Sequence, residues 1–257
     1  MQRFFIADIH LNDNEPVITT GFLAFIDKLP ESCELYILGD LFDYWIGDDE
    51  YSSLHQKIAG ALSDLSRRGI NVFFIHGNRD FLIGQHFAEQ CQMQILPELS
   101  LLDQKSSPLL VLHGDLLCTD DKSYQKFRRK MHNHWLQRLF LMLPMMIRRK
   151  IANKLRGESQ QYNSRKSEKI MDVNQQAVST MMQQFQAHTM IHGHTHKPAI
   201  HSFKINNIEV KRMVLGAWHD GINFIFQDSQ GRFQLYLLSL NINELITTFD
   251  QSILNKA

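Results

Sequence analysis

Five short polar motifs carry the side chains in this sequence that could do chemistry. In chain order they are Asp8-Ile9-His10, Gly39-Asp40, Gly77-Asn78-Arg79-Asp80, His113-Gly114-Asp115 and Gly193-His194-Thr195-His196. Their metal-competent side chains are Asp8, His10, Asp40, Asn78, His113, His194 and His196. This set is larger than one first-row ion uses in an open catalytic site. It suits two ions that share a carboxylate, an arrangement that supports in-line displacement at phosphorus.

The spacing within the motifs favours shared ligation. Asp8 and His10 are two residues apart, so in an extended chain both side chains can reach one ion, and His194 and His196 repeat that spacing. Asp40 directly follows a glycine that allows close backbone approach, and a carboxylate can bridge two cations.

The donor chemistry narrows the choice of metal. Asn78 adds a neutral carbonyl oxygen to the carboxylates and imidazoles. A nitrogen and oxygen set without thiolates suits Mn²⁺, Fe²⁺ or Zn²⁺ more than Ca²⁺, and we favour two Mn²⁺ ions.

Each motif alone has an ordinary explanation. An Asp-x-His spacing recurs by chance, a Gly-Asp after a strand is usually a turn, and a His-x-His-x-His tract can bind metal incidentally. Five motifs in sequence, each just past an apolar run, are harder to explain in that way. His76 and His192 directly precede motif glycines, so we expect them to pack beside or support the ligands. The remaining histidines have no such setting and are expected on the surface or in the core: His55, His86, His132, His134, His188, His201 and His219.

The elements that must position these motifs alternate between strands and helices. Five apolar, β-prone runs each lead into a motif: Arg3–Ala7, Leu35–Leu38, Val72–Ile75, Leu109–Leu112 and Thr189–His192. Helical patterns fall near Pro16–Leu29 and Ser53–Arg68. This alternation predicts a layered α/β sheet with active groups at the carboxyl ends of the strands.

The second half of the chain has a different pattern. Residues 119–187 are predicted to be mostly helical, and residues 241–257 to form a terminal helix or tail. Four short strands with polar turns are predicted to form an antiparallel second sheet: Ala199–Phe203, Val210–Leu215, Ile222–Phe226 and Phe233–Leu238.

Composition excludes several classes of protein. The chain has 257 residues, of which 44% are hydrophobic, so it can bury a core and is not disordered. The three cysteines are widely spaced, which suits a reducing compartment better than a disulfide framework. We expect no signal peptide before the first motif. We also expect no transmembrane segment, because the most hydrophobic run, Leu139 to Ile147, is too short to span a bilayer.

Charge is divided along the chain. The whole sequence has 27 basic and 27 acidic residues, but residues 119–170 hold 14 Lys or Arg and only 4 Asp or Glu. This surplus predicts an anionic partner for the basic segment.

The apolar run between the Arg128-Arg129-Lys130 and Arg148-Arg149-Lys150 clusters fits an anionic membrane surface or a groove for acyl chains. An ordinary helical pair with a solvated basic face is the alternative, and no recognised motif supports nucleic acid.

Taken together, the five motifs resemble those of the calcineurin-like metallophosphoesterase superfamily. The resemblance implies an α/β fold, a two-sheet β sandwich flanked by helices, with residues 1–118 and 187–257 as the core and 119–186 as a helical cap insert. It also implies that Asp8, His10, Asp40 and His196 hold one ion, and that Asp40, Asn78, His113 and His194 hold the other. Water activated between the ions would attack phosphorus, with Asp40, Asn78, Arg79 and His113 as the catalytic residues.

One position departs from the superfamily pattern. Many members have Gly-Asn-His, whose histidine assists the leaving group, but here Arg79 takes that place. Arginine cannot donate a proton at neutral pH, yet it can bind phosphate with two hydrogen bonds. A phosphate monoester, with a second pKa of about 6, leaves without protonation. Arg79 therefore favours cleavage of a diphosphate, and an ion pair with Asp80 is the alternative.

Longer segments narrow the resemblance to a subgroup that acts in lipid A biosynthesis. They include Ile37–Phe42, Trp45–Asp49, Leu117–Asp121, Ile170–Gln175 and Leu215–His219. The implied substrate is UDP-2,3-diacylglucosamine, hydrolysed at its diphosphate on the cytoplasmic face of the bacterial inner membrane, without nucleic acid or an obligate protein partner. The resemblance also implies a set of substrate contacts: Asn78, Arg79, Asp121, Ser159, Asn163, Lys166 and His194, with Tyr124 and Arg156 as weaker candidates.

Two other classes of function remain open from the sequence. One is a soluble metallophosphoesterase acting on nucleotides or phosphoproteins, with the insert as a plain lid. The other is a binding scaffold that has lost catalysis, but such a scaffold should lack some ligands, and all of them are present here.

Overall fold

Eleven strands and eight α-helices make up the described part of the chain, residues 1–104, 107–164 and 172–249, in a computed structural model. The strands are β1 (Arg3–Ile6), β2 (Glu34–Ile37), β3 (Asn71–Phe74), β4 (Met93–Ile95), β5 (Leu99–Leu102), β6 (Leu109–Leu112), β7 (Thr189–His192), β8 (Ala199–Ile205), β9 (Ile208–Val214), β10 (Ile222–Gln227) and β11 (Phe233–Leu238). The helices are α1 (Pro16–Asp27), α2 (Ser53–Arg67), α3 (Gln85–Cys91), α4 (Lys122–Met131), α5 (His134–Leu141), α6 (Met145–Ser164), α7 (Gln175–Gln184) and α8 (Ile242–Thr248).

The first sheet contains six strands in the order β11-β10-β1-β2-β3-β4. β1 to β4 run parallel to one another, and α1, α2 and α3 connect them in turn, which confirms the predicted alternation. β10 pairs antiparallel with β1, and β11 pairs antiparallel with β10. β1 and β2 therefore lie at the centre of the sheet, where both of their neighbours fix their position.

The second sheet contains five strands in the order β5-β6-β7-β9-β8. β6, β7 and β9 are parallel, whereas β5 and β8 are antiparallel edge strands. The prediction that the last four strands form one antiparallel sheet is wrong, because β8 and β9 join this sheet while β10 and β11 extend the first. Every residue of β10 is buried, which is typical of a strand covered on both faces.

The two sheets pack face to face between layers of helices. Successive side chains of a strand point to opposite faces, so Phe4 packs with α1 and α2 while Phe5 packs between the sheets. Across the sandwich, Val111 and Ile191 of the second sheet belong to the same cluster as Phe5. Val178 of α7 covers the outer face of the second sheet. The expected α/β class, a two-sheet sandwich flanked by helices, is confirmed.

The described part of the segment between β6 and α7 is mostly helical, as its sequence predicts. Side-chain caps begin two of its helices: Asp121 accepts a hydrogen bond from Tyr124 N at the start of α4, and Asn133 accepts one from Trp135 N at the start of α5. Large apolar side chains on α5, on α6 and in the turn between them face outward: Trp135 is 73% exposed, Met142 80% and Met146 73%. None of the described helices is both long enough and apolar enough to pass through a bilayer. The division into a core and a cap insert stays a prediction.

The last described helix, α8, packs back on the first strand. Phe249 is fully buried, and its ring stacks on that of Phe4 with centroids 5.9 Å apart. The end of the chain, predicted as a helix or tail, thus contributes to the core around α1 as far as residue 249.

Candidate metal centre

The five sequence motifs lie at the carboxyl ends of strands, at one edge of the sandwich. Asp8 follows β1, Asp40 follows β2, Asn78 follows β3, and His113 and His194 follow β6 and β7. Parallel strands bring their carboxyl ends to a common edge. All seven predicted ligands therefore meet in one cluster: Asp8, His10, Asp40, Asn78, His113, His194 and His196.

One half of the cluster contains Asp8, His10 and His196. The Nε2 atom of His196 lies 3.4 Å from Asp8 Oδ1 and 3.3 Å from His10 Nε2. The His10 Nε2 atom lies 4.0 Å from Asp8 Oδ1 and 3.9 Å from Asp40 Oδ2. The ligand atoms of Asp8, His10 and His196 lie within 4.8 Å of one another, close enough to hold one divalent cation.

The other half contains Asn78, His113 and His194. Asn78 Oδ1 lies 3.0 Å from His113 Nε2 and 2.8 Å from His194 Nδ1. His113 Nε2 lies 3.7 Å from Asp40 Oδ2. Asp40 Oδ2 is thus within 4 Å of a histidine from each half. The Asp8 carboxylate is also close to Asp40 and His113, with ligand atoms within 4.8 Å of one another, so the halves adjoin.

Hydrogen bonds from surrounding groups orient the ligand atoms. Asp40 Oδ1 accepts from Arg79 N at 2.8 Å, which leaves Oδ2 facing both halves. Asp8 Oδ2 accepts from the backbone N of His194 at 2.8 Å. His113 Nδ1 donates to the carbonyl oxygen of Leu38 at 2.9 Å, which directs Nε2 into the cluster.

The donor set fits divalent cations. Asp8 Oδ1 is buried, yet it accepts no hydrogen bond from the described residues. Leaving a buried carboxylate oxygen without a donor costs free energy, and a cation between Asp8 and His196 would remove that cost. The donors are carboxylate, amide and imidazole groups without thiolates, which suits Mn²⁺, Fe²⁺ or Zn²⁺.

The backbone at five of these positions is left-handed. The φ angles are 54° at Asp8, His10 and Asp40, 70° at His194 and 56° at His196. A residue with a side chain is disfavoured in this region by roughly 1–2 kcal/mol. Such conformations persist where the surrounding structure holds them, and they cluster at functional sites. Five of the seven predicted ligands have this conformation. This supports a functional site in which backbone strain is tolerated because it directs the ligand side chains toward one another.

Gly77 allows two of the motif loops to touch. A Cβ atom at this position would lie 2.2 Å from Asp40 Oδ1 and 2.4 Å from Asp40 N. Only glycine can bring the third motif this close to the shared carboxylate.

Asp80, the last residue of that motif, holds the loops together. It is fully buried and accepts hydrogen bonds from the backbone N atoms of Gly77 at 2.9 Å, Leu41 at 2.7 Å and Asp40 at 3.2 Å. The sequence reasoning missed this role, although Asp80 stands inside a motif that it singled out.

Arg79 is half-buried beside the cluster. Its guanidinium makes no hydrogen bond or ion pair with any residue that the structure describes. Arg79 therefore does not form the alternative ion pair with Asp80. The carboxylate oxygens of Asp80 instead accept hydrogen bonds from backbone N atoms. A guanidinium held next to a cluster of metal ligands is well placed to bind an anion.

Burial and neighbouring charges change the pKa values of the ligand side chains. Burial raises the pKa of Asp40 to about 7, although His113 lowers it. Burial by itself lowers the pKa of His113, but the carboxylates of Asp40 and Asp8 outweigh it and raise that pKa to about 9. Burial lowers the pKa of His10 to about 3. His113 thus keeps a proton where a cation would bind, and metal binding must release that proton.

The predicted substrate contacts have mixed placements. Tyr124 lies beside the cluster, with its ring stacked on His194 at 5.8 Å between centroids. Arg156 pairs with Asp43 at 2.5 Å, and Asp121 caps α4. Lys166 lies outside the described residues, and Ser159 and Asn163 fall in the part of α6 whose side chains are not described.

Three other histidines lie near the ligands. His76 Nε2 donates to the carbonyl oxygen of Ile83 at 2.7 Å, next to the third motif. His192 is fully buried, and its Nδ1 atom lies 2.8 Å from the carbonyl oxygen of Gly193. His219 is exposed, as expected for a surface histidine, and its ring also lies 5.9 Å from that of His196. Its neighbour Trp218 donates from its backbone N to the carbonyl oxygen of Asp8 at 3.1 Å, a contact that no spacing in the sequence indicates.

Comparison with known proteins gives the family of the chain. Residues 1–198 match the family model described as calcineurin-like phosphoesterase. A protein of Photorhabdus laumondii named UDP-2,3-diacylglucosamine hydrolase is 53% identical over 220 residues, which cover 85% of this chain and 92% of that protein. A protein of the same name from Edwardsiella ictaluri is 47% identical over 254 residues, covering 96% and 97%. Among solved structures, the E. coli phosphoesterase Yfce has a TM-score of 0.46 and 15% identity, covering 95% of each chain.

The chain belongs to the calcineurin-like phosphoesterase family. Within that family, its relatives at about half identity over most of their length carry the name UDP-2,3-diacylglucosamine hydrolase.

Proposed function

We propose that this protein hydrolyses the diphosphate bond of UDP-2,3-diacylglucosamine, giving 2,3-diacylglucosamine 1-phosphate and UMP in lipid A biosynthesis. The observation that carries the proposal is the cluster of seven ligands in two halves, with Asp40 Oδ2 within 4 Å of a histidine from each. The names of relatives that match nearly the full chain supply the substrate.

The ligand cluster is proposed to hold two Mn²⁺ ions. Asp8, His10 and His196 would hold one ion, Asn78, His113 and His194 the other, and Asp40 would contribute to both. When bound, such ions lower the pKa of a water molecule to near neutrality and offset charge on phosphoryl oxygens.

The chain's own residues would orient the substrate for attack by water at the α-phosphorus. Asn78, Arg79 and His194 are the proposed contacts to the diphosphate; Asn78 Oδ1 lies 2.8 Å from His194 Nδ1, and Arg79 directly follows Asn78 in the chain. The Arg79 guanidinium, which has no partner among the residues that the structure describes, would donate two hydrogen bonds to phosphoryl oxygens and offset charge that develops in the transition state.

Arg79 also supports a diphosphate as the bond that is cleaved. It offers no proton to the leaving group at neutral pH. The departing sugar 1-phosphate has a second pKa of about 6, so it needs charge neutralisation and not protonation. An alkyl ester would need an acid at this place.

We propose that the helical segment, residues 119–186, is a cap that binds the acylated sugar. Its outward apolar side chains, including Trp135, Met142 and Met146, would take up acyl chains or lie on the inner membrane at its cytoplasmic face. Asp121, Ser159, Asn163 and Lys166 are the proposed contacts to the sugar and its 1-phosphate, and we propose that no protein partner is required.

Analysis of products formed in isotopically labelled water tests this proposal. Purified protein with Mn²⁺ is mixed with the lipid-linked nucleotide sugar, and the products are separated by mass spectrometry. Label in UMP is expected, because water attacks the α-phosphorus. Label in the sugar phosphate would contradict the direction of attack.

A soluble substrate tests the alternative function. A UDP-sugar without acyl chains is compared with the acylated substrate at equal concentration. The proposal expects strong preference for the acylated substrate. Equal turnover of the two would favour a phosphoesterase acting on soluble nucleotides, with the helical segment as a plain lid.

A further inference from the structure

Arg148 of α6 makes a buried contact away from the metal centre. Its guanidinium donates to the carbonyl oxygen of Ile46 at 2.7 Å, to Asp49 Oδ1 at 2.7 Å and to the carbonyl oxygen of Leu143 at 3.0 Å. The side chain is almost fully buried. It therefore fastens the start of α6 to residues 45–50, here called the platform loop.

The platform loop adjoins the ligand cluster. Trp45 precedes Ile46 in the chain, and its backbone N donates to the carbonyl oxygen of Arg79 at 3.1 Å. Arg79 N in turn donates to Asp40 Oδ1 at 2.8 Å. A short series of hydrogen bonds thus links Arg148 to the shared carboxylate of Asp40. Through this series, the metal centre fixes the position of α6.

The platform loop is fixed without help from α6. The Trp45 ring packs on Phe87 with centroids 4.5 Å apart and on Phe42 at 5.0 Å. Asp48 accepts hydrogen bonds from Gly84 N at 2.8 Å and Phe87 N at 3.0 Å, at the start of α3. If the Arg148 contact were lost, the helices would therefore shift and the loop would stay.

Gly47 shapes the loop to receive the arginine. Its φ angle is +133°, which L side chains rarely adopt. A Cβ atom there would lie 2.4 Å from Arg148 Nη1 and 2.9 Å from Leu141 Cδ2. The fit between loop and helices thus depends on a residue from each side.

We propose that Arg148 is a positioning residue that sets where the apolar surface of α5 and α6 lies relative to the metal centre. The inference rests on the proposed function, since that surface is where acyl chains would bind. A correctly placed surface lets bound acyl chains deliver the diphosphate to Arg79 and the ligands. A substrate without acyl chains does not use this surface, so its hydrolysis does not depend on Arg148.

The test compares two substrates and two matched variants. Wild type, Arg148→Ala and Arg67→Ala are assayed with Mn²⁺ on UDP-2,3-diacylglucosamine in neutral detergent micelles and on soluble bis(4-nitrophenyl) phosphate. Arg67→Ala removes the same charge, but Arg67 pairs with Asp64 on the same helix, α2, and both side chains are exposed. Exposed pairs contribute little, so Arg67→Ala is expected to change either rate by less than about twofold.

For Arg148→Ala we expect kcat/KM on the acylated substrate to fall by about tenfold or more, with KM raised, because the buried guanidinium and its hydrogen bonds to the carbonyl oxygens of Ile46 and Leu143 are lost. Its hydrolysis of the soluble diester should stay within about twofold of wild type, which also shows that the chain is folded. Gly47→Ala disturbs the same contact from the loop side and should reproduce the split between substrates.

Two results would overturn the inference. One is an unchanged kcat/KM of Arg148→Ala on the acylated substrate. The other is an equal loss on both substrates, which would mean that Arg148 acts on the metal centre or on folding. Wild type that cleaves the diester but not the acylated substrate would instead refute the proposed function, and the inference with it.

Discussion

Gly77→Ala is the substitution whose effect follows most directly from the geometry. The added Cβ would lie 2.2 Å from Asp40 Oδ1 and 2.4 Å from Asp40 N. Ordinary contact between non-bonded heavy atoms needs about 3.5 Å, so the shared carboxylate or the loop must move by about 1 Å. A misplacement of about 1 Å at a catalytic group can cost about a hundredfold in rate. Overpacking of this kind also destabilises the fold by about 1–3 kcal/mol.

The assay measures kcat on the acylated substrate together with the midpoint of thermal unfolding. Gly60→Ala is the matched control, because the new Cβ would have nothing within 4 Å and the residue lies on the exposed face of α2. In a helix interior, alanine is favoured over glycine by about 1 kcal/mol, so the control should keep full activity and unfold slightly later. A near-normal kcat for Gly77→Ala would contradict the claim that the third motif must contact Asp40 this closely.

Three further predictions follow from the same cluster. Asp40→Ala and His113→Ala should each abolish hydrolysis while circular dichroism stays native; near-normal turnover by either would contradict the two-ion assignment. Arg79→Ala should lower turnover of the diphosphate substrate far more than that of an activated aryl phosphate ester, and equal losses would remove the leaving-group argument. Mn²⁺ affinity, measured by calorimetry, should rise with pH up to about 9, because the ion must displace the raised-pKa proton of His113; a flat profile would show that this proton is not displaced.

The convergence of the motifs could be predicted because it depends on strand direction alone. An apolar run followed by a polar motif places that motif at a carboxyl end, and parallel strands bring such ends together. The runs before Asp8, Asp40 and Asn78 all behave in this way. What the spacing could not indicate is the left-handed backbone at Asp8 and Asp40, because these residue types adopt it only when tertiary contacts impose it.

Strand pairing in the last third of the chain was harder to predict. Periodicity identifies a strand but not its partner, so β8 to β11 read as one sheet. The apolar residues Phe224–Phe226 of β10 were the available signal, since a strand buried at every position belongs inside a sheet. β4 and β5 are three and four residues long and gave no periodic signal at all.

The basic character of residues 119–170 gave an incomplete prediction. Net charge cannot distinguish a side chain that attracts a partner from one that pairs within the fold. Arg128 pairs with Asp115 at 2.6 Å, Arg148 with Asp49, and Arg149 with Glu50 at 3.1 Å. Part of the positive surplus therefore holds the helices against the rest of the chain, and only the remainder is available to an anionic surface.

The central claim is that two cations share the Asp40 carboxylate. Electron paramagnetic resonance during a Mn²⁺ titration of chelator-treated protein tests it most directly, because it counts bound ions and reports whether they are coupled. The account predicts two ions per chain with an exchange-coupled spectrum. A single ion per chain, or two ions whose spectra are those of isolated Mn²⁺, would contradict it.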